Sequence, residues 1–363
     1  MSNKKFTSFF CCIILSLTAV VNLTAPTFAQ PAENALRTPA GTNVKRATPS
    51  SMASPTLPIV PTLPNWPTHS VRILVGFPAG STPDMIARAI SEPLAKELGQ
   101  PVIVENHVGV AGNLAAQMLS KATDDHTLGI LINGNLTIAK LLYPSLGFDP
   151  LSDFTPISLI ASSPLVLVAP NQLPSGRAFF QAAREASTHW NYGSVGTGSI
   201  AHLGMEALKA LLPGTEPVHV PYAGNPAVLG AVMAGEIQMA LVPIGVAMPL
   251  VNSGKIQAIG ISGSKSTLAP NIPSLSSLGI KGYASDMQVW DALVGPKTLS
   301  PQALIRLSKA VSLLNQNPEL RNQLFNQGWQ LRSTDGEGLK NVSVPEYELM
   351  KKLIKQLNLK LDP

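Results

Sequence analysis

The stretch that decides the fold class is Val71-Arg72-Ile73-Leu74-Val75-Gly76-Phe77-Pro78-Ala79-Gly80-Ser81-Thr82-Pro83-Asp84. Its first five residues are mostly apolar and rich in Val and Ile, a composition that predicts a strand. Gly, Pro, Ser and Thr follow, and Asp84 opens a segment with the apolar spacing of a helix. A strand, a glycine-rich turn and a helix start together gather free backbone N–H groups and a positive dipole end. We therefore hypothesise that this loop holds a carboxylate.

The beginning of the chain has the pattern of a secretory signal peptide. Two lysines precede an uncharged apolar run from Phe9 to Val21, and Thr27-Phe28-Ala29 forms a small-residue cleavage site. The signal peptide is predicted over residues 1–29. Both cysteines of the chain, Cys11 and Cys12, lie inside it. The mature chain is therefore expected to have no disulfide, no thiol catalysis and no cysteine–metal site.

A Pro-rich lead follows the signal peptide, and the mature chain as a whole is weakly basic. Residues 30–66 are rich in Pro, Thr, Ser and Ala, and prolines recur every third residue from Pro55 to Pro67. This spacing predicts an extended, disordered lead, with a proline-motif ligand as the alternative. The formal net charge of +5 falls to +3 without the two lysines of the signal peptide. No basic run remains, so nucleic acid is not an expected partner, whereas a small anion is.

From residue 67 onward, strand-like runs alternate with helical stripes. The first half is predicted to contain strands over 71–75, 101–106 and 127–132 and helices over 84–98 and 113–121. Pro93 is expected to kink or split the first helix. The alternation predicts an α/β fold with a mostly parallel sheet, in which ligands bind beyond the carboxyl ends of the strands. The loops 77–84 and 133–137 are therefore expected to form one pocket wall.

A second strand–loop–helix unit starts at Asn191. The segment 191–199 is predicted as a strand that ends in a glycine-rich turn, and Ser199 is placed as the N-cap of a helix over 200–212. The remaining elements are predicted as strands over 164–169, 218–222, 237–242, 256–262 and 287–294 and as helices over 177–187, 223–234, 301–315, 318–327 and 345–357.

Two such loops suit a cleft between two lobes. The chain is expected to cross between lobes near residues 165 and 290, which assigns 67–165 and 290–363 to the first lobe and 166–289 to the second. Two crossings make a hinge plausible, with closure on a ligand as the expected motion.

The residues that enzymes of common classes require are missing from the sequence. No Gly-x-Ser-x-Gly elbow, His-Glu-x-x-His motif, dinucleotide fingerprint or Walker loop occurs. Ser199 and His202 lie three apart, but capping by Ser199 and packing by His202 explain them better than a catalytic pair. Asp84 similarly suits a helix dipole better than the role of a general base. We expect no catalytic residue, metal or cofactor; a hydrolase or transferase that uses Ser199 is the remaining enzyme hypothesis.

Four motifs in order resemble a known family. They are the segments Val75–Arg88, Leu98–Asn106, Asn191–Leu203 and His219–Gly224. Together they resemble the Bug, or TctC-like, periplasmic solute receptors of tripartite tricarboxylate transporters, over about residues 66–360. The resemblance implies a two-lobed type II periplasmic binding fold, each lobe a mostly parallel sheet flanked by helices, with no catalysis. It also implies a dicarboxylate, amino acid or aromatic acid as ligand, held by backbone N–H groups, hydroxyls and waters.

The same resemblance assigns ligand contacts by position. The expected contacts are Phe77, Ala79, Gly80, Ser81, Thr82, Asp84, Asn133 and Gly134 in the first lobe and Val195, Thr197, Gly198, Ser199 and His202 in the second. The first loop departs from the family pattern at Pro83, which removes an N–H donor that Ser81 or Thr82 is expected to replace. Asp291 is a second departure: an acid expected at the cleft mouth would repel a second carboxylate or attract an amine.

The resemblance also implies where the protein works and with what. The expected partners are a small carboxylate and the membrane permease subunits of a tripartite transporter. The expected location is the periplasm, and the expected state is a monomer. A ligand-sensing module whose closed form contacts a sensor kinase is the alternative, which the sequence does not separate from transport.

Overall fold

The computed structural model of the protein describes residues 66–186, 189–263, 266–282 and 286–359. The predicted signal peptide and all of the Pro-rich lead except Trp66 lie outside these residues. The strands are β1 Val71–Val75, β2 Val102–Asn106, β3 Thr127–Ile132, β4 Phe154–Ala169, β5 Asn191–Ser194, β6 Val218–Pro221, β7 Met239–Pro243, β8 Gln257–Ile261, β9 Gln288–Pro296 and β10 Gln330–Leu331. The α-helices are α1 Thr82–Leu98, α2 Asn113–Ser120, α3 Ala139–Leu142, α4 Arg177–Ala186, α5 Ile200–Ala210, α6 Asn225–Ala234, α7 Ile244–Asn252, α8 Pro301–Leu314, α9 Pro318–Asn326 and α10 Gly336–Gln356.

Each lobe is built on one half of a ten-stranded sheet. In the first lobe β1 pairs in parallel with β2 and β3, and β9 pairs antiparallel with β3 and β4. In the second lobe β5 pairs in parallel with β6 and β7, and β4 pairs antiparallel with β7 and β8. The long strand β4 serves both halves, since residues 154–164 pair with β9 and residues 165–169 pair with β7 or β8. The predicted lobe boundaries, near 165 and 290, fall inside β4 and β9.

The largest apolar core extends through both lobes, and packing against it explains why α1 is continuous. On α1, the residues Ile86, Ile90 and Leu94 form a fully buried stripe at helical spacing. The stripe continues to Leu98, so the helix runs past Pro93 as one element and the expectation of a split at that proline was wrong. Packing of this apolar face outweighs the loss of one backbone hydrogen bond at the proline.

Most other predicted elements agree with the observed ones within about two residues at each end. The predicted strand over 164–169 is only the last part of the longer β4. Residues Gly134–Ile138 form a π-helix where a loop was predicted. Helix α10 begins at Gly336, well before the predicted start at 345, because the Asp335 side chain accepts a hydrogen bond from the Gly338 amide. Helix α7 was not predicted. Within the described ranges, no helix combines the length and hydropathy needed to span a membrane.

Candidate ligand-binding cleft

A cavity that opens to solvent lies between the two lobes at the carboxyl ends of their parallel strands. Three helices, α1, α5 and α6, begin at its wall. First-turn amides of a helix have no intrahelical acceptor, so three positive dipole ends converge on one space. The described residues that line it include none with a charge: Phe77, Ser81, Thr82, Pro83, Ile132, Leu165, Val195, Ser199, Ile200, Ala201, Gly224, Asn225, Leu241, Pro243 and Val289.

The first loop is held in shape by the carboxylate of Asp84. This carboxylate accepts hydrogen bonds from the Gly80 amide at 2.8 Å and from Arg88 Nε at 3.0 Å. The Asn106 side chain on β2 adds a third hydrogen bond at 2.9 Å. Burial alone would raise the pKa of Asp84, but the hydrogen bonds from Arg88, Gly80 and Asn106 outweigh it and lower the pKa. The carboxylate therefore stays ionised and organises the loop from behind.

Ser81 is the polar group of the first loop that remains available to a ligand. The residue is 3% exposed and lines the cavity. Its hydroxyl oxygen is buried and has no hydrogen-bond partner among the described residues. The next residues, Thr82 and Pro83, form the first turn of α1, and Pro83 has no N–H to offer. An unsatisfied buried hydroxyl at a helix start is suited to a ligand oxygen, since leaving it unpaired costs free energy.

The second loop is closed by neutral groups. The Ser199 hydroxyl accepts a hydrogen bond from the backbone amide of His202 and so caps α5. The His202 Nδ1 atom in turn accepts one from the Gly198 amide at 3.2 Å. Gly198 has a φ of +86°, a conformation that favours glycine. Burial lowers the pKa of His202 to about 4, so the imidazole is neutral at neutral pH and serves as an acceptor.

A cluster of aromatic and polar side chains supports this loop from below. The rings of His202 and His219 have centroids 4.3 Å apart, and Tyr192 stacks on His219 at 4.9 Å. The His219 Nε2 atom is 2.7 Å from the Ser194 hydroxyl. Burial, together with repulsion from His202, lowers the pKa of His219 to about 4. Tyr192 donates a hydrogen bond to Glu206, and burial and that carboxylate raise its pKa.

The two lobes touch at several points around the cavity. A Cβ atom on Gly134 would lie 3.1 Å from the carbonyl oxygen of Gly198, so the two backbones approach each other closely here. The Tyr143 hydroxyl donates a hydrogen bond of 3.3 Å to the carbonyl of Thr197. A Cβ atom on Gly224 would lie 4.0 Å from the Cβ of Ser81. The two lobes are therefore closed on each other around the cavity, and the two predicted loops face each other.

Asn133 lies behind the cavity wall and is held by the C-terminal helix. Its side-chain amide donates hydrogen bonds of 3.0 Å to the Gln288 carbonyl and to Glu346 on α10. The Trp290 indole donates to the other carboxyl oxygen of Glu346. Burial raises the pKa of Glu346 to about 7, against the opposing effect of the hydrogen bonds from Trp290 and Asn133. The side chain of Asn133 therefore fixes the π-helix start and does not reach into the cavity.

The position of Asp291 contradicts its predicted role. It is 0% exposed on β9 and pairs with Ile132 on β3. An acid at the cleft mouth would be solvated, so that expectation was wrong. Burial raises the pKa of Asp291 well above its usual value. The neighbouring strands enclose this carboxyl because the alternation of β9 points it into the interior.

The predicted contacts divide into two groups. Five of them line the cavity: Phe77, Ser81, Thr82, Val195 and Ser199. Eight do not line it: Ala79, Gly80, Asp84, Asn133, Gly134, Thr197, Gly198 and His202. Ala79 and Gly80 are exposed, and the other residues of this group shape or support the loops.

Sequence reasoning predicted the third helix, but it did not assign its start, Gly224–Asn225, or the apolar strand ends to the cavity wall. The former had a signal, because His219–Gly224 is a strand followed by a glycine before a helix. The apolar residues had none, since a strand end that lines a cavity looks like one that packs in a core. No cluster of three or more His, Cys, Asp or Glu side chains suited to a metal occurs in the part of the chain that the structure describes.

Comparisons with known proteins agree on the family. The model of the TctC family, described as the tripartite tricarboxylate transporter family receptor, matches residues 86–359. A UPF0065 protein of Bordetella pertussis is 32% identical over 267 residues, which cover 72% of this chain and 81% of that protein. The solved structure of MatC from Rhodopseudomonas palustris with bound malate is 27% identical, with a TM-score of 0.74 over 80% of this chain and 100% of that one. The R. palustris protein Rpa4515 with adipate is 26% identical, with a TM-score of 0.77 over 81% of this chain and 99% of that one. The chain belongs to the TctC family and has the predicted two-lobed α/β fold of periplasmic binding proteins.

Proposed function

We propose that this protein is a periplasmic solute receptor that captures a small organic carboxylate between its lobes for a tripartite transporter. The observation that carries the proposal is the buried, unpartnered Ser81 hydroxyl in a cavity where three helices begin. A carboxylate satisfies such a site, because it accepts hydrogen bonds from hydroxyls and amides and is attracted to positive dipole ends.

The chemistry of the wall supports binding over catalysis. The Ser199 hydroxyl accepts from the His202 amide, and the His202 Nδ1 atom accepts from the Gly198 amide. The side chains of Ser199 and His202 are therefore hydrogen-bonded to backbone amides and not to each other, so they do not form a nucleophile–base pair. The enzyme hypothesis based on Ser199 loses its geometric support.

The relatives give the proposal its substrate class and its partner. Structures of two relatives contain malate or adipate, both of them organic acids. The family to which the chain belongs is described as the receptor of a tripartite tricarboxylate transporter. The proposed partner is therefore the membrane permease of such a transporter, met in the periplasm by a monomeric receptor.

The experiment is titration calorimetry on the full mature chain with malate, adipate, hexanoate and benzoate at pH 7.5. We expect at least one acid to bind, and Ser81→Ala to weaken its binding about tenfold, because hydrogen bonds to charged groups contribute about 1.5–3 kcal/mol. Ser91→Ala is the matched control, since the Ser91 hydroxyl donates to the Ala87 carbonyl on the same helix, outside the lining. Absence of binding to all four acids, or equal affinity in both variants, would contradict the proposal.

A further inference from the structure

The composition of the cavity wall restricts which carboxylate fits. Ten of the fifteen lining residues are apolar, and both lobes contribute them. Phe77, Ile132 and Val289 come from the first lobe, and Leu165 and Leu241 from the second. No Lys, Arg or His side chain is among the lining residues that the structure describes. The wall therefore favours an apolar ligand body by removing it from water.

The polar donors of the wall belong to the helix starts. Ser81 and Thr82 open α1, Ser199 precedes α5, and Asn225 opens α6. The start of α6 adjoins that of α1, since a Cβ atom on Gly224 would lie 4.0 Å from the Cβ of Ser81. All four side chains are neutral, and they are the polar side chains of the wall. The strand ends that complete the wall offer no side-chain donor.

The acid beside the apolar part of the wall has no hydrogen-bond partner, cationic or neutral, among the residues that the structure describes. Asp291 is paired in register with the lining residue Ile132, and neither of its oxygens has a hydrogen-bond partner within the same residues. The guanidinium of Arg88 contacts Asp84 and Asn106, away from the lining. A second ligand charge would therefore meet an apolar surface backed by an acid.

We propose, on the basis of the carboxylate-receptor function proposed above, that the ligand is a monocarboxylate with a compact apolar body, such as a branched, alicyclic or aromatic acid. The single carboxylate is held at the helix starts, and the body lies against the strand ends. A second carboxylate would lose its hydration without gaining a countercharge or a set of donors, and burial of such an unpaired charge is strongly unfavourable.

Matched acids test this inference. The pairs are hexanoate with adipate and benzoate with terephthalate, because the members of each pair share an apolar body and differ by one carboxylate. Calorimetry on the full mature chain at pH 7.5 is expected to give at least about tenfold tighter binding of the monocarboxylate in the pair that fits. Equal or tighter binding of adipate or terephthalate, or binding of malate alone, would overturn the inference while leaving the receptor function in place. Absence of binding by every acid would overturn both.

A variant pair gives a second test at a half-buried lining position. Val195→Lys introduces a cation into the second-lobe wall, and Val195→Met introduces a side chain of comparable reach without charge. We expect the lysine variant to shift the adipate-to-hexanoate affinity ratio toward adipate by about tenfold relative to the methionine variant. An unchanged ratio in a folded lysine variant would contradict the inference. If that variant does not fold, the matched acids with the native chain decide.

Discussion

The loop that opens α1 and the loop that opens α5 face the same cavity but are fastened by opposite chemistry. The first closes on the ionised carboxylate of Asp84, which holds the Gly80 amide. The second closes on the neutral imidazole of His202, which holds the Gly198 amide. In each loop the group that fastens it accepts a hydrogen bond from the amide four residues earlier. The two loops are thus similar in geometry and different in charge.

Because of this difference in charge, a fall in pH affects the two sides of the cleft differently. Hydrogen bonds lower the pKa of Asp84, so this carboxylate is protonated only in strong acid. His202 and His219 must stay neutral to fit, and burial lowers the pKa of each to about 4. Acid therefore loosens the second lobe first.

The largest effect is expected from Asp84→Ala. This change removes the acceptor of the Gly80 amide, one of the two acceptors of the Asn106 side-chain amide, and the carboxylate partner of Arg88. We expect the free energy of unfolding at pH 7 to fall by about 3 kcal/mol, because charge-assisted hydrogen bonds in a buried site are lost. Denaturant titration measures the loss, and calorimetry with hexanoate measures the accompanying fall in affinity.

Asp124→Ala is the matched control for this first prediction. Asp124 also accepts hydrogen bonds, from the His126 amide and the Thr127 hydroxyl, but it lies outside the cavity wall. It is expected to cost some stability and to leave the affinity for hexanoate in place. Equal affinity in the Asp84 and Asp124 variants would show that the carboxylate of Asp84 does not shape the binding loop.

A smaller effect is expected in acid at His219. In the unfolded chain this imidazole takes up a proton near pH 6.5, whereas in the folded chain it does so near pH 4. The unfolded state therefore binds more protons between these values, and the contribution of His219 to stability falls as pH falls. We expect His219→Gln to reduce the loss of unfolding free energy between pH 7 and pH 4.5 by about 2 kcal/mol relative to the native chain.

Denaturant titrations at the two pH values give this difference. His189→Gln, at an exposed histidine of the same lobe, serves as control and is expected to follow the native chain. If the two variants show the same pH dependence, the burial of His219 does not make the second lobe sensitive to acid.

How far the sequence led depends on the range of the interactions. The segments Val71–Asp84 and Asn191–Ser199 predicted their strand–loop–helix units well because strand composition, glycine and N-cap signals are local. The first part of β4, from Phe154 to Ser163, escaped prediction. Its sequence is interrupted by Pro156 and by serines, and its partner β9 lies far along the chain.

The sequence predicted which loops line the candidate site, but it did not predict which residues line the cavity and which support the loops. The loops were found, but Asp84 was assigned to the ligand when its partner Asn106 comes from the neighbouring strand. That hydrogen bond depends on how β2 packs beside α1, so no local sequence pattern predicts it. The lining residues Ile132 and Leu241 were likewise indistinguishable from core residues, since both carry the apolar signature of buried strands.

An effect of about the same size is expected at Glu346, with a sign opposite to that at His219. Glu346 is half-buried, but its carboxyl group is enclosed by Trp290 and Asn133, and burial raises its pKa from 4.5 to about 7. Between these values the folded chain retains a proton that the unfolded chain has lost. The contribution of Glu346 to stability is therefore full below pH 4.5 and is lost as pH rises toward 7.

Glu346→Gln keeps an acceptor for the Trp290 indole and removes the titration. We expect the free energy of unfolding of this variant, relative to the native chain, to rise by about 2 kcal/mol between pH 5 and pH 8. Glu348→Gln, at an exposed position of the same helix, is the control and should show no such rise. Opposite pH trends at Glu346 and His219 would place the most stable closed cleft between the two titrations. A flat difference for Glu346→Gln would instead leave the pH response of the cleft to the second lobe alone.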